Sequence, residues 1–189
     1  MRGLRDMRLS WILSCTSRKM VQKHAPMKVL FIGGSGNISS ACTYRAVEEG
    51  HEVFHFNRGM RSHYRFGNDI TTLNGNIESQ ADRKQILKYA PFDVVVNFIC
   101  FTPEQMQADI SFFRGNTHQY IFISSATVYK KPPDHYLVTE ECALENRYWP
   151  YAQDKIDCER LLHDQTELPF TIVRPSYPFG KTWIPAALT

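Results

Sequence analysis

The chain has 189 residues, of which 43% are hydrophobic and 22% are charged, and its formal net charge is +3. This balance is typical of a globular protein and excludes a disordered or fibrous chain. No apolar run approaches the roughly 20 residues that a helix needs to cross a bilayer, so we expect no membrane span.

The basic character of the chain belongs to its first 26 residues. They hold six basic side chains against one acidic side chain, whereas residues 27–189 carry 16 basic and 18 acidic side chains, a net charge of −2. Because phosphate binding depends on clustered Lys and Arg, this slightly acidic part is a poor partner for nucleic acid. Residues 1–26 are predicted to be a disordered leader outside the fold, with Met20 or Met27 as the true start; a transit peptide is the alternative, and a secretory signal lacks its cleavage site.

From Met27 onward, short apolar runs alternate with amphipathic segments. The runs predict six strands, at residues 28–32, 51–56, 69–73, 92–98, 120–124 and 170–173. The segments between them predict four helices, at residues 38–49, 79–89, 103–113 and 150–164. This alternation predicts an α/β fold with helices on both faces of a mainly parallel sheet, the doubly wound Rossmann arrangement. Residues 27–189 are therefore expected to form one domain, with aromatic residues such as Phe101 in its core.

The five cysteines are scattered along the chain without a C-x-x-C pair: Cys15, Cys42, Cys100, Cys142 and Cys158. An odd number of widely spaced cysteines predicts reduced thiols and neither a disulfide framework nor a zinc site. A cytoplasmic protein without a bound metal is the expectation that follows.

A glycine-rich loop connects the first predicted strand to the first predicted helix. Glycine permits a tight turn and lets backbone N–H groups approach a pyrophosphate, while the helix N-terminus supplies partial positive charge. In this strand-loop-helix context the loop predicts a site for NAD or NADP. The residues expected to hold the cofactor here are Gly33, Gly34, Ser35, Gly36, Asn37 and Ile38.

The end of the second strand is where a dinucleotide-binding fold selects between NAD and NADP. Here the strand ends in Asn57-Arg58, without the carboxylate that would bind the ribose 2′-hydroxyl of NAD. Arg58 is available for the 2′-phosphate of NADP, although a solvated loop arginine is the alternative interpretation. These residues slightly favour NADP.

A third group of residues is suited to proton transfer. Tyr151 and Lys155 are four residues apart on a predicted helix, which places both side chains on one face. An ammonium beside a phenol is expected to lower the pKa of the tyrosine toward neutrality. Ser125 ends the fifth predicted strand, at the sheet edge where ligands bind in open α/β folds. Ser125, Tyr151 and Lys155 are therefore the predicted catalytic residues.

Four segments together resemble the NAD-dependent epimerase/dehydratase family, the extended branch of the short-chain dehydrogenase/reductase superfamily. They occur in family order and cover nearly all of residues 27–180: Ile32 to Ile38, Ser124 to Tyr129, Tyr151 to Lys155, and Val173-Arg174-Pro175. The resemblance implies an NAD(P)-dependent oxidoreductase or epimerase acting on a hydroxylated small molecule, with a nucleotide sugar as a candidate substrate.

The resemblance also implies roles for individual residues. Ser125 would orient the substrate oxygen, Tyr151 would be the acid and base, and Lys155 would bind the nicotinamide ribose and tune Tyr151. Family members often dimerise through the helix that bears the Tyr-Lys pair, so a homodimer is expected. The remaining cofactor contacts implied by the resemblance are Asn76 and Ile77 near the adenine, Asn97 in the cofactor cleft, and Pro175 and Ser176 beside the nicotinamide.

The sequence departs from the family pattern in three segments. Ser39 stands where the third glycine is usual, and Asn76 stands where aspartate is common. Ala126-Thr127 follows Ser125 where the 4,6-dehydratases carry an acidic pair. Without that acid and base, epimerisation or simple oxidoreduction fits better than elimination.

The chain ends soon after the Arg-Pro segment, where family members continue into a substrate-binding lobe. We therefore expect a C-terminally truncated member whose substrate lobe is largely missing. The rival hypothesis is a non-catalytic, atypical family member that binds a dinucleotide as a sensor or scaffold, with RNA as a conceivable partner. The acidic balance of residues 27–189 and the intact Ser-Tyr-Lys set argue against that rival.

Overall fold

A computed structural model describes residues 25–59 and 66–179. The predicted leader lies outside these residues apart from its last two positions, and residues 180–189 lie outside them as well. The boundary between leader and domain therefore stays a prediction.

The described residues form a six-stranded sheet with helices between the strands. The strands are β1 (Lys28–Ile32), β2 (Glu52–Asn57), β3 (Ile70–Asn74), β4 (Phe92–Asn97), β5 (Thr117–Ile123) and β6 (Phe170–Val173). The helices are α1 (Asn37–Glu48), α2 (Gln80–Leu87), α3 (Pro103–Phe113) and α4 (Pro150–His163), with a short 3₁₀ turn at Ala126–Val128. Among the described helices, none has the length and apolar character needed to cross a membrane.

The sheet is parallel throughout, with the strand order β3-β2-β1-β4-β5-β6. The order reverses between β1 and β4, and in such folds a crevice opens between the carboxyl ends of the two strands. The prediction of a doubly wound parallel sheet is confirmed. This topology brings the loops after β1, β2 and β4 to one edge of the sheet.

The predicted elements agree with the observed ones to within a few residues. β1, α3 and β6 have the predicted boundaries. β5 begins three residues earlier than expected, because Thr117 already pairs with Phe92 of β4. α2 is shorter than expected, because Ser79 caps it by accepting a hydrogen bond from the Asp82 N–H.

The core lies on both faces of the sheet, since alternate side chains of a strand point in opposite directions. Leu30 and Ile32 pack on the face covered by α2, α3 and α4. Val29 and Phe31 pack on the opposite face, together with Ala46 of α1. Helices packed on both faces fix the ends of the strands, so the loops that follow the strands are anchored at fixed positions.

Candidate functional site

A cavity of about 680 Å³ opens at the carboxyl edge of the sheet. This volume lies within the range of ordinary small-molecule sites. It is bounded by the loops that follow β1, β2, β3 and β4, as the switch in strand order requires. Nine of the predicted cofactor residues line it: Gly33, Ser35, Gly36, Asn37, Ile38, Asn57, Arg58, Asn76 and Ile77.

The first two glycines of the loop are needed because other groups approach them closely. Gly33 has φ +79°, and a Cβ there would lie 2.6 Å from Cγ2 of Ile99. A Cβ on Gly34 would lie 2.5 Å from Nε2 of His55. Residues larger than glycine would therefore displace the loop from the strand ends. The glycines thus keep the loop close to the strand ends, which is where the pyrophosphate-binding loop lies in this fold.

Ser39, which stands at the position of the usual third glycine, has a clear structural role. Its side chain is 1% exposed, and its hydroxyl donates to the Gly33 carbonyl at 2.7 Å. The same oxygen accepts from the Gly36 N–H at 2.7 Å. The serine thus ties the beginning of the glycine loop to its end. The sequence showed the departure from glycine but not these two bonds, because the shape of the turn decides which backbone groups face the Ser39 hydroxyl.

The strand end that selects the cofactor carries an amide and a guanidinium. Asn57 is half-buried, Arg58 is exposed, and both line the cavity. The Asn57 side chain contacts His55, whose ring is 1% exposed and faces α1. Sequence reasoning did not assign His55 to the site. The sequence signal for it is a histidine inside a strand, with an apolar residue on each side.

The predicted adenine side of the cavity is formed by the loop after β3. The backbone N–H of Asn76 donates to Asp82 at 2.8 Å, and its side-chain carbonyl accepts from the Glu78 N–H at 3.2 Å. Gln105 of α3 donates to the Glu78 carboxylate at 2.8 Å. Asn76 thus shapes its own loop, and Ile77 is half-buried against the core.

The expectation that Asn97 lines the cofactor cleft is corrected by the structure. Asn97 is 2% exposed, and its Nδ2 donates to the Asp109 carboxylate at 2.5 Å. Its Oδ1 accepts from the Ile99 N–H at 2.8 Å. Burial raises the pKa of Asp109, whereas the Arg83 charge and the Tyr120 hydroxyl lower it. Asn97 therefore supports the cleft wall from below, through the loop that carries Ile99.

Ser125 and Tyr151 come together at the edge of β5. Ser125 precedes the 3₁₀ turn, and its Oγ accepts from the Thr127 N–H at 3.2 Å and from the Thr127 hydroxyl at 2.9 Å. Tyr151 lies in the first turn of α4. Burial raises the pKa of Tyr151, and a hydrogen bond with Ser125 lowers it in part.

Lys155 lies beneath Tyr151 and is 1% exposed. Its Nζ donates to the Cys100 carbonyl at 2.6 Å and to the Ile123 carbonyl at 2.8 Å, and it lies 5.7 Å from the centre of the Tyr151 ring. Burial lowers the pKa of Lys155 to about 8. The expectation that Lys155 lowers the pKa of Tyr151 is therefore wrong for this state, because the ammonium is directed at two carbonyls.

Two exposed aromatic residues flank Tyr151. The Trp149 ring centre lies 5.1 Å from that of Tyr151, and the Phe101 ring centre lies 6.4 Å from it. Trp149 is 51% exposed and Phe101 is 44% exposed. The prediction that Phe101 lies in the core is therefore wrong. Phe101 also lines the cavity, so one wall of the cavity lies beside Tyr151.

A buried ion pair fixes the end of β6 against α4. Arg174 binds Glu159 through two bonds of 2.6 and 3.1 Å, and Glu159 is 1% exposed. The Ser124 hydroxyl also donates to Glu159, at 2.5 Å. The carbonyl of the next residue, Pro175, accepts from the Ala126 N–H at 2.9 Å. Pro175 thus lies beside the turn that begins at Ser125, whereas Ser176 is exposed.

The sequence profile described as the NAD dependent epimerase/dehydratase family matches residues 29–187. A UDP-glucose 4-epimerase of Lactobacillus helveticus is 27% identical over 157 residues, which cover 72% of this chain and 46% of that protein. A UDP-glucose 4-epimerase of Klebsiella pneumoniae is 27% identical over 132 residues, which cover 57% of this chain and 95% of that protein.

Solved structures of epimerases share the fold. The UDP-Glc/GlcNAc 4-epimerase from Campylobacter jejuni superposes with a TM-score of 0.68 at 19% identity, over 78% of this chain and 53% of that one. The UDP-glucose 4-epimerase from Bifidobacterium longum in complex with NAD+ and UDP has a TM-score of 0.63 at 20% identity, over 77% of this chain and 52% of that one. The chain thus spans about half the length of these solved relatives.

Proposed function

The chain belongs to the NAD dependent epimerase/dehydratase family, and from this premise we propose that it is an NAD(P)-dependent oxidoreductase or epimerase acting on a hydroxylated substrate. The observation that carries the proposal is the contact between Ser125 and Tyr151 directly above the buried Lys155. This group lies at the same edge of the sheet as the glycine loop. A dinucleotide sensor without catalytic activity has no need of such a contact.

The glycine loop fits the dinucleotide that the family implies. A Cβ on Gly33 or Gly34 would collide with Ile99 or His55, so the two glycines let the loop lie close against the strand ends. The Ser39 hydroxyl bridges Gly33 and Gly36. Backbone N–H groups at the start of α1 would hold the pyrophosphate. The dinucleotide, when bound, would supply the hydride acceptor and donor that oxidoreduction or epimerisation at a substrate carbon needs.

Proton transfer is assigned to Tyr151, with Ser125 orienting the same substrate oxygen. Burial raises the pKa of Tyr151, so its phenol is protonated at neutral pH. In that form it donates a proton to the alkoxide that forms when a substrate carbonyl is reduced, which leaves Tyr151 as a phenolate. The phenolate is the form that takes up the proton when a substrate hydroxyl is oxidised. Lys155 is assigned to the nicotinamide ribose, as the resemblance to the family implies.

A nucleotide sugar is the best candidate substrate. The named relatives are UDP-glucose 4-epimerases, and the family as a whole supports only the general class of reaction. Trp149 and Phe101 give Tyr151 two aromatic walls, which suit the apolar face of a sugar ring. Trp149 is also the N-cap of α4 and makes no capping hydrogen bond. Relative to a capping Ser, Thr, Asp or Asn, this costs about 1 kcal/mol of helix stability. Ala126-Thr127 beside Ser125 favours epimerisation or oxidoreduction over elimination.

The cofactor is proposed to be NADP in slight preference to NAD. Arg58 lines the cavity at the end of β2, where its guanidinium can pair with a 2′-phosphate. No carboxylate follows that strand in the described residues 57–59. The proposed location is the cytoplasm, whose reducing conditions suit the four described cysteines as free thiols. A homodimer that forms through α4 is also proposed.

The experiment that tests the proposal replaces Tyr151 with Phe. We expect turnover of UDP-glucose or UDP-galactose to fall by about 10²–10⁴-fold, because the proton donor is lost, while the dissociation constant for the cofactor stays within about twofold. Turnover is measured by chromatography of the sugar nucleotides, and cofactor binding by fluorescence titration. Tyr148→Phe is the matched control, since Tyr148 is 77% exposed and outside the Ser125 contact.

Two results would contradict the proposal. Unaltered turnover in Tyr151→Phe would remove Tyr151 from the mechanism. Binding of NADH or NADPH without turnover of any hydroxylated sugar nucleotide by the unmodified chain would leave a dinucleotide-binding protein without the proposed activity.

A further inference from the structure

Three polar side chains form a chain of contacts below the glycine loop. Thr43 of α1 is fully buried, and its Oγ1 lies 2.9 Å from Nε2 of His55. On the other side of the ring, Nδ1 of His55 lies 3.3 Å from Nδ2 of Asn57. Because Asn57 lines the cavity, this relay of Thr43, His55 and Asn57 connects the loop to the cofactor-selecting strand end.

The direction of the hydrogen bonds in the relay follows from the partners of Thr43. Its Oγ1 lies 2.9 Å from the carbonyl of Ser39 and 3.3 Å from that of Gly34. Carbonyls only accept, so the single hydroxyl proton of Thr43 is used there. The bond between Oγ1 and Nε2 must then be donated by the ring. His55 therefore carries its proton on Nε2.

The other ring nitrogen is left as an acceptor. Burial lowers the pKa of His55 to about 4, so the ring is neutral and holds one proton at physiological pH. Nδ1 can then only accept, and the Asn57 amide turns its NH₂ group toward it. The carbonyl oxygen is the end of the Asn57 amide that is offered to the cavity.

The His55 ring is held in place by its neighbours. It packs against Phe66 at 5.0 Å between ring centres and against Phe31 at 6.0 Å. The backbone of Gly34 closes the third side, where a Cβ would touch the ring. The orientation of the ring is therefore set by the fold and is independent of a bound cofactor.

From these contacts we propose that His55 is a positioning residue for cofactor choice, which turns the Asn57 carbonyl toward the adenosine ribose. The inference rests on the proposed function, since it concerns the same dinucleotide site. A carbonyl accepts from the 2′-hydroxyl of NADH and offers nothing to the 2′-phosphate of NADPH. The relay thus offsets the preference of Arg58 for the phosphate and keeps NADH as a usable cofactor.

The test removes the hydroxyl of Thr43 while keeping the shape of the side chain. In Thr43→Val the ring loses its acceptor, and a buried N–H without a partner is tolerated less well than a buried lone pair. The proton then moves to Nδ1, and the Asn57 amide turns its NH₂ group to the cavity. We expect the ratio of the NADH to the NADPH dissociation constant to rise about fivefold, the worth of roughly one hydrogen bond.

Two further variants make the test specific. Thr43→Ser keeps the hydroxyl and should leave the ratio within about twofold. In an Asn57→Asp background the residue has no NH₂ group to present, so adding Thr43→Val should not shift the ratio. Dissociation constants for NADH and NADPH are measured by fluorescence titration in all five proteins, including the unmodified chain.

Nuclear magnetic resonance of the ¹⁵N-labelled, unmodified chain gives an independent reading without any substitution. We expect the His55 ring to be neutral with its proton on Nε2. A proton on Nδ1, an equal shift in Thr43→Val and Thr43→Ser, or a shift that persists with Asn57→Asp would overturn the inference. If both cofactors bind but Thr43→Val leaves the ratio of the NADH to the NADPH dissociation constant unchanged, only this inference is overturned. If the unmodified chain binds neither cofactor, the proposed function is overturned as well.

Discussion

Two parts of the molecule, one half around β1 and β2 and the other half around β5 and β6, use different kinds of buried polar groups. In the half formed by β1, α1 and β2, the buried groups are neutral: the hydroxyls of Ser39, Ser40 and Thr43 and the ring of His55. In the half formed by β5, α4 and β6, Lys155 and Glu159 are each 1% exposed and ionisable. These buried groups of the part proposed to bind the cofactor thus carry no charge near neutral pH. The part proposed to perform chemistry holds charges that burial makes costly.

The first prediction concerns the charged half. Arg174→Met leaves the Glu159 carboxylate buried without its cation, and we expect the free energy of unfolding to fall by about 3 kcal/mol. Urea denaturation followed by circular dichroism measures the change. Arg160→Met is the matched control, because its pair with Asp157 is solvent-exposed and should be worth less than about 1 kcal/mol. Equal losses in the two variants would remove the contrast between the halves.

The second prediction concerns the neutral half. Gly33→Ala forces a Cβ against Ile99 at a positive φ, so the loop must move, and we expect cofactor affinity to fall about 10–100-fold. Isothermal titration with NADPH measures the loss. Gly115→Ala shares the positive φ, at +72°, but its Cβ would meet nothing within 4 Å. That control should lose about 1 kcal/mol of stability and no affinity; a comparable loss of affinity there would show that backbone strain alone is responsible.

The third prediction separates the halves by pH. Burial lowers the pKa of Lys155 from its ordinary 10.5 to about 8, so between these values the unfolded chain binds more protons than the folded chain. Stability contributed at this site therefore rises with pH across that window and is constant below it. The free energy of unfolding of the unmodified chain, minus that of Lys155→Met, should increase by about 1–2 kcal/mol from pH 7.5 to pH 9.5. A difference that stays flat would mean that the ammonium is not desolvated.

The same contrast explains what the sequence could predict. Apolar periodicity located the ten helices and strands, because the pattern within one segment decides which of its faces is buried. It also predicted that the glycine loop and Ser125 lie at the carboxyl edge, since strand ends meet there. These features depend on local spacing or on topology alone.

The remaining features depend on partners that lie far apart in the chain. Lys155 points at carbonyls of Cys100 and Ile123, which are 55 and 32 residues away in sequence. Asn97 finds its partner on α3, and its burial could not be read from the strand that carries it. The direction of the His55 bonds follows from carbonyls of the glycine loop. Such pairings appear only once the segments are packed.

The exposed ring of Trp149 gives the chain a built-in optical reporter. It is one of three tryptophans in the sequence, and its ring centre lies 5.1 Å from that of Tyr151. Its emission overlaps the absorption of reduced nicotinamide, and half of its surface faces solvent. A cofactor or sugar that enters beside Tyr151 therefore changes both the intensity and the colour of the light this indole emits, so that occupancy of the chemical half can be followed in the unlabelled protein.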